Sequence, residues 1–206
     1  MFERLLVCEL PMVTLDVQYR MHPFIGEVTS KEFYGGVVTA GVTAADRQLN
    51  DVSFPWPDPN KPTLFWHCDG TEVLGGRNGT SHSNPAEAAA VARAVETLIT
   101  SGAAGSDIGV ITMYDAQRTR VRQELSAAAT RHSESEKFAQ VEVANVDAFQ
   151  GREKPFIVLS ATRCKGTLGH VGKPRRINVA LSRARSGMVI IGHTDTLLSS
   201  PFWTRQ

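Results

Sequence analysis

The stretch VEVANVDAFQGREKPFIVLSATR, residues 141 to 163, contains two short apolar runs separated by a polar turn. The runs at 140 to 146 and 155 to 161 place apolar side chains at successive positions, which is typical of strands that are covered on both faces. In the turn between them, Gly151 permits a backbone geometry or a close ligand approach that a side chain would block. Taken alone, this turn is better interpreted as an ordinary turn with a surface ion pair.

Similar apolar runs recur along the chain, with helical patterns between them. Further strands are predicted at 12 to 17, 62 to 68, 108 to 113 and 187 to 192. Helices are predicted at 22 to 34, 84 to 102, 115 to 130 and 175 to 186. Alternating strands and helices predict an α/β fold with a parallel sheet between helices, and sites in such sheets lie at the carboxyl ends of the strands.

Two segments depart from this alternation. Residues 39 to 62 contain four prolines and are predicted to form a long irregular connection. Residues 72 to 83 are rich in Gly and Ser and are predicted to form a loop.

The composition is that of a soluble globular domain. The chain has 206 residues, of which 42% are hydrophobic and 21% charged, and it has no apolar run long enough to cross a membrane. Cys8, Cys68 and Cys164 are far apart and form no C-x-x-C pair, which argues against a disulfide scaffold and a structural zinc site. We therefore expect a cytoplasmic protein with no secretory signal, no membrane partner and no metal ligands of its own.

The sequence lacks the elements of a complete nucleotide-hydrolysing centre. Gly172 and Lys173 resemble part of a phosphate-binding loop, but Thr167 replaces its leading glycine and Pro174 stands where Ser or Thr should hold magnesium. No acidic pair follows an apolar strand. A basic helix, RRINVALSRARS, offers Arg176 and Arg183, whose guanidinium groups suit phosphate oxygens, although ordinary surface arginines explain the pattern equally well in isolation.

Three segments together carry a more specific signal. LDVQYRMHPFIGEVTSKEFYGG (15 to 36), VDAFQGREKPFIVLSATR (146 to 163) and RRINVALSRAR (175 to 185) resemble motifs IV, V and VI of superfamily 1 helicases, in that order. QYRMHP, with GVTAADR (41 to 47) and FPWPDPNKP (54 to 62), is most similar to the regulator of nonsense transcripts family, the RNA helicases of nonsense-mediated mRNA decay. The resemblance extends over essentially the whole chain.

This resemblance implies that residues 1 to 206 form the second RecA-like domain of a longer helicase. The first RecA-like domain, which carries the phosphate loop and the acidic pair that holds most of the Mg²⁺ coordination, is absent from the chain. The parent protein is then expected to hydrolyse ATP with Mg²⁺ and to move 5′ to 3′ on single-stranded RNA. This chain alone is not expected to turn over ATP. Expected partners are RNA, or DNA in a related helicase, and the first RecA-like domain, whereas decay factors bind elsewhere.

The resemblance also assigns candidate site residues. It implies that Tyr19 stacks on adenine, that Arg20 and Arg183 reach the γ-phosphate as catalytic arginines, and that Glu153 bonds the ribose beside Gly151, which allows close approach. Ser182 stands where the family usually has Thr, which keeps the hydroxyl. Candidates for nucleic-acid contact at strand ends are the following: Thr112, Asn145, Asp147 and Arg163.

Other classes of protein remain as alternatives. The chain is also compatible with a domain of a related DNA or dual RNA/DNA helicase, although the GVTAADR match argues against it. A non-catalytic helicase-like module that binds RNA or protein is a second alternative. The presence of Arg20, Glu153 and Arg183 together favours a motor, because a degenerate binding module has no need of all three.

Overall fold

A five-stranded parallel sheet forms the centre of the molecule. The structure, a computed structural model, describes residues 7–8, 13–75 and 79–205. The sheet has the order β3-β9-β8-β6-β7, and every neighbouring pair is parallel. Its strands are β3 (Thr63–His67), β6 (Ile108–Thr112), β7 (Glu142–Asn145), β8 (Lys154–Ser160) and β9 (Ala184–Gly192).

Helices cover both faces of this sheet, so the domain has three layers, as the sequence predicts. The helices are α1 (Pro23–Tyr34), α2 (Pro85–Thr100), α3 (Asp115–Ala129), α4 (Ser135–Gln140), α5 (Pro174–Leu181) and α6 (Thr194–Leu198). Alternate residues of β6, β7, β8 and β9 enter two separate cores: Val158 of β8 packs with α2 and α3, whereas Leu159 packs with α1 and α5. Within the described residues, every helix is too short or too polar to cross a bilayer.

Local sequence signals fix the ends of two helices. Asn84 caps α2 by accepting a hydrogen bond from the Glu87 amide at 3.1 Å, and Pro85 occupies the first helical position. His22 caps α1 in the same way, because its Nδ1 accepts from the Phe24 amide at 3.2 Å. Gly35 ends α1 in a left-handed conformation with φ of 62°.

Two predicted elements are wrong in part. The strand predicted at 12 to 17 begins outside the described residues. Residues 13–16 are exposed and form no strand, although the Asp16 carbonyl accepts a hydrogen bond from the Thr39 amide at 2.7 Å. Only β1 (Val17–Gln18) pairs, with β2 (Thr39–Ala40), in a separate sheet. An apolar run does not itself provide a neighbouring strand, so this segment stays on the surface. The helix predicted at 175 to 186 ends at Leu181, because pairing with β8 draws Ala184 into β9.

The Gly- and Ser-rich segment also differs from its prediction. It contains a short antiparallel pair, β4 (Val73–Gly75) and β5 (Ser81–Ser83). The proline-rich stretch from 39 to 62 has β2 and one helical turn at Ala45–Arg47, and it is otherwise irregular. Its Trp56 packs against the core over Gly187, where a side chain would collide with the indole.

A buried carboxyl group connects α2 to the carboxyl end of β8. Glu87 is fully buried and accepts hydrogen bonds from the Ser160 hydroxyl at 2.8 Å and from the Thr162 amide at 2.8 and 2.9 Å. Thr162 has φ of 73°, an unfavourable conformation for a β-branched residue, and these bonds hold it there. Burial raises the pKa of Glu87 to about 7, despite hydrogen bonds that favour the charged form.

We expect Glu87 to make the stability of the chain fall with rising pH. In the unfolded chain this carboxyl ionises near its ordinary value of 4.5, whereas in the folded chain it stays protonated until about pH 7. The folded state therefore binds more protons between these pH values, and the free energy of unfolding decreases by about 3 kcal/mol at most across the window. Urea unfolding of wild type and Glu87→Gln from pH 4 to 8 measures this slope.

The difference between the two proteins isolates Glu87. His22, whose pKa burial lowers, contributes an opposite slope to both proteins and therefore cancels. Parallel stability curves for wild type and Glu87→Gln would contradict the prediction.

Candidate functional site

Arg20 lies at the amino ends of β8 and β9. Its Nε donates to the carboxylate of Glu153, and its Nη1 donates to the Ser182 carbonyl oxygen at 3.1 Å. Glu153 directly precedes β8, and Ser182 follows α5, so two separate chain segments hold one guanidinium. The structure thus brings Arg20 and Glu153 into direct contact.

A compact turn presents the Arg20 side chain. The Gln18 Oε1 accepts hydrogen bonds from the amides of Arg20 at 2.9 Å and Met21 at 2.7 Å, and its Nε2 donates to the Met21 carbonyl at 3.0 Å. The His22 amide donates to the Arg185 carbonyl at 2.7 Å, which joins the turn to β9. Gln18 therefore orders the turn, and His22 with Pro23 shapes its exit into α1.

Tyr19 has an open aromatic face next to Arg20. The residue is 68% exposed, and its ring packs over Gly41, where any side chain would collide with it. The Nη2 of Arg47 donates to the Tyr19 carbonyl at 2.5 Å, and its Nε donates to the Arg20 carbonyl at 2.7 Å. This position suits stacking of a flat base on the ring.

Arg183 is half-buried, and every hydrogen bond that the structure gives it goes to an uncharged oxygen. Its Nε donates to the Val179 carbonyl at 2.9 Å, its Nη2 to the Ser182 hydroxyl at 2.7 Å, and its Nη1 to the Arg152 carbonyl at 3.3 Å. Burial, and then the positive charge of Arg20, lowers the pKa of Arg183. Guanidinium groups nevertheless remain protonated, so the charge persists without a carboxylate in contact.

The cluster therefore carries excess positive charge. Arg20, Arg183 and Arg185 lie around the single carboxylate of Glu153, which is 3.9 Å from the Arg185 Nε. Such an excess attracts an anion, and the arginine forks match phosphate oxygens. The sequence analysis did not predict two residues of this region. Arg47 holds the Tyr19 and Arg20 carbonyls, and Arg185, which lies inside the quoted motif, is near Glu153.

Gly151 has a conformational role in the turn before β8. Its φ is 83°, a value that L side chains rarely adopt, and no other atom lies within 4 Å of the position its Cβ would take. The backbone turn therefore needs glycine here. Contact between Gly151 and a ligand remains a prediction.

The Arg20 cluster is at the opposite edge of the sheet from the one that the sequence predicts. Parallel α/β sheets usually bind ligands at the carboxyl ends of their strands, yet Glu153 and Arg183 each precede a strand. Only the nucleic-acid candidates lie at the carboxyl edge. The expectation that sites lie at the carboxyl ends of the strands is therefore wrong for the Arg20 cluster.

At that carboxyl edge, Thr112 is fully buried rather than on the surface where the sequence places it. It is buried because β6 is covered on both faces, and its hydroxyl donates to the Tyr114 carbonyl at 3.2 Å. Asn145 caps the next turn by accepting from the Ala148 amide at 2.8 Å. Asp147 is exposed and accepts from the Nη2 and Nε of Arg176 at 2.8 and 3.1 Å, so it braces α5.

Arg163 is also engaged within the protein. Its largely buried guanidinium lies 2.6 Å from the Glu72 carboxylate, and its pKa is raised by hydrogen bonds to Tyr114 and Glu72 that outweigh burial. Exposed cations follow in the segment between β8 and α5 and in the first turn of α5. They are Lys165, Lys173 and Arg175.

The fold defines an α/β domain of the RecA type. The chain belongs to the AAA domain family, whose sequence profile matches residues 1–195. This match agrees with the three-layer α/β fold.

Individual relatives narrow the comparison. The chain is 45% identical over 205 residues to the regulator of nonsense transcripts 1 homolog of Neurospora crassa, and 42% identical to regulator of nonsense transcripts 1 of Caenorhabditis elegans. It is 39% identical to the ATP-dependent helicase NAM7 of Saccharomyces cerevisiae. Each alignment covers 98% of this chain but only 18, 19 and 21% of those proteins, so the chain spans about a fifth of their length. These matches confirm the resemblance that the motifs indicate.

A solved structure shares the architecture. The C-terminal domain of a possible DNA helicase from Lactobacillus plantarum superposes with a TM-score of 0.52, covering 91% of this chain and 93% of that one. Sequence identity is 12%, so this likeness bears on the fold alone. It confirms the RecA-like α/β class.

We expect the Arg20–Glu153 ion pair to add little to stability. The two side chains are 33 and 41% exposed, and pairs with that exposure contribute about 1 kcal/mol or less. A double-mutant cycle with Arg20→Gln and Glu153→Gln, followed by urea unfolding of the chain, measures the coupling. A coupling energy above about 2 kcal/mol would instead make the pair a structural element.

Proposed function

We propose that this chain is the second motor domain of an ATP-dependent RNA helicase that acts in nonsense-mediated mRNA decay. The observation that carries the proposal is the cluster of arginines around Glu153, with an exposed tyrosine beside it. The regulator of nonsense transcripts relatives and the helicase NAM7 support the assignment. Because the chain spans about a fifth of their length, the activity belongs to the longer protein.

The proposed nucleotide site is completed across a cleft between two domains. Tyr19 takes the adenine on its open face, Glu153 accepts a ribose hydroxyl, and Arg20 and Arg183 approach the γ-phosphate. For Arg20 to reach the phosphate it must leave Glu153, which then becomes free to bond the ribose. Transfer of Arg20 from a carboxylate to a phosphate keeps its charge paired throughout.

The magnesium ion of this site is assigned to the other domain. Among the described residues, Glu153 is the carboxylate that contacts Arg20, and that ion pair leaves it a poor metal ligand. Mg²⁺ takes oxygen ligands from carboxylates and phosphates, so the ion bound with ATP rests on the domain that carries the acidic pair. The residues of this chain supply positive charge on the opposite side of the phosphates.

The carboxyl edge is the proposed RNA surface. Lys165 and Lys173 belong to the segment between β8 and α5, and Arg175 lies in the first turn of α5 beside Arg176, which pairs with Asp147. Contacts of this kind go to phosphates and read no sequence, which suits a translocating motor. Asn145 and Asp147 stay candidates for bracing this surface or touching the sugar.

We expect Arg183→Gln to abolish hydrolysis while ATP binding persists. In a protein that contains both RecA-like domains, loss of an arginine that stabilises charge on the transferring phosphoryl typically lowers turnover by about 10³- to 10⁵-fold. RNA-stimulated phosphate release measures turnover, and titration with a fluorescent ATP analogue measures binding.

Arg131→Gln is the matched control, because Arg131 is an exposed arginine outside the cluster. Unchanged turnover in Arg183→Gln would remove Arg183 from the catalytic set. Absence of hydrolysis in the wild-type protein would favour the non-catalytic binding module.

We expect Arg175→Gln to weaken RNA binding equally for all sequences. Removing one phosphate contact reduces the slope of log affinity against log salt by about one. Fluorescence anisotropy with single-stranded RNA and DNA at several salt concentrations measures both effects, and equal affinity for DNA would favour the dual-specificity alternative. An unchanged salt slope, matching that of Arg131→Gln, would exclude Arg175 from the RNA surface.

A further inference from the structure

A second polar cluster lies at the carboxyl ends of two adjacent strands. His67 is the last residue of β3, and its register partner, Gly192, ends β9 directly before His193. Asp69 follows β3 by two residues. Parallel pairing of β3 and β9 thus brings together three residues from distant parts of the sequence, in a place that no part of the proposed nucleotide site uses.

The three side chains converge on one point. The Asp69 Oδ1 lies 3.1 Å from the His67 Nε2 and 3.6 Å from the His193 Nε2. One ligand atom from each residue lies within 4.8 Å of the other two. Two ligands bound tetrahedrally at about 2.0 to 2.1 Å from a zinc ion are separated by roughly 3.4 Å, a value between the two observed distances.

Threonine hydroxyls orient both imidazoles. The His67 Nδ1 lies 2.6 Å from the Thr194 Oγ1, and the His193 Nδ1 lies 3.1 Å from the Thr196 Oγ1. Each hydroxyl can accept the Nδ1 proton, which leaves the Nε2 lone pair directed toward Asp69. Metal-binding histidines are usually held by an outer hydrogen bond of this kind.

A competing arrangement uses the same atoms. The amides of Thr194 and Thr196 have the geometry of donors to the same Nδ1 atoms, at 3.2 and 3.3 Å. With Nδ1 as the acceptor, Nε2 carries the proton and donates to Asp69, and the cluster is a hydrogen-bonded trio without a metal. Metal binding requires the other tautomer, in which Nδ1 donates to the threonine hydroxyl. The two arrangements predict opposite results with added metal.

We propose that His67, Asp69 and His193 bind one divalent transition-metal ion of the zinc type. Two imidazoles and one carboxylate suit Zn²⁺ or Co²⁺ rather than Mg²⁺, which prefers an all-oxygen shell. The side chains are 43, 84 and 21% exposed, so the ion can enter from solvent and retain a water ligand. Because β3 is an edge strand, the ion would fasten it to β9 and to the start of α6.

The test uses the 206-residue chain with Zn²⁺ and with Co²⁺ alone. We expect calorimetric titration to give one equivalent bound, Co²⁺ to develop the visible absorption of a tetrahedral site, and the midpoint of thermal unfolding to rise with Zn²⁺ but not with Mg²⁺. His67→Asn, Asp69→Asn and His193→Asn should each lose these effects. Thr196→Val should weaken binding by about 10- to 100-fold while leaving all three ligands in place.

The control is His132→Asn, because His132 is a surface histidine whose Nε2 lies 2.7 Å from the carboxylate of Glu96. It should bind Zn²⁺ as wild type does. Absence of stoichiometric binding in wild type would establish the hydrogen-bonded trio and overturn the proposal. Binding that survives all three ligand variants would place the metal elsewhere on the chain and overturn it equally. Neither result bears on Arg183 or on ATP hydrolysis.

Discussion

The common direction of the five central strands is the constraint on which the rest of the molecule depends. Parallel pairing requires the chain to return from one edge of the sheet to the other between strands. Helices make most of these returns and bury both faces, whereas β7 and β8 are joined by a turn without a helix. Parallel pairing also collects all carboxyl ends at one edge and all amino ends at the opposite edge. Since β8 has seven residues, the two edges lie about 20 Å apart. The arginine cluster and the exposed cations Lys165, Lys173 and Arg175 are therefore separated by about the length of a strand.

At the amino edge, the protein holds positive charge that it does not fully neutralise. Arg183 is fixed by two carbonyl groups and the Ser182 hydroxyl, which orient a guanidinium but leave its charge available. Arg20 has one carboxylate partner, Glu153, on a turn that Gly151 makes possible. Donors that are already oriented need little rearrangement when an anion arrives, and such preorganisation is the main means by which a site stabilises developing negative charge.

Sequence reasoning predicted the parts of the fold that depend on local pattern. The apolar pattern predicted that β6 and β8 are covered on both faces, and Asn84 with Pro85 predicted the start of α2. Both predictions succeeded because cap and strand signals act over a few residues. The predictions that placed Leu15 in a strand and Ala184 in a helix were wrong, since strand pairing is decided by distant segments. The motifs indicated Arg20, Glu153 and Arg183 but not the edge they occupy. The convergence of His67 and His193 had no local signal, because 125 residues separate them along the chain.

The short helix α5 and the two residues after it connect these two edges. Arg176, paired with Asp147, belongs to its first turn at the carboxyl edge, and Arg183 follows two residues after its end at the amino edge. Ile177, Ala180 and Leu181 fix its inner side to the core, so its eight residues move as one piece. A helix packed in this way is stiff along its axis, so the segment that carries Arg176 and the segment that carries Arg183 are mechanically connected.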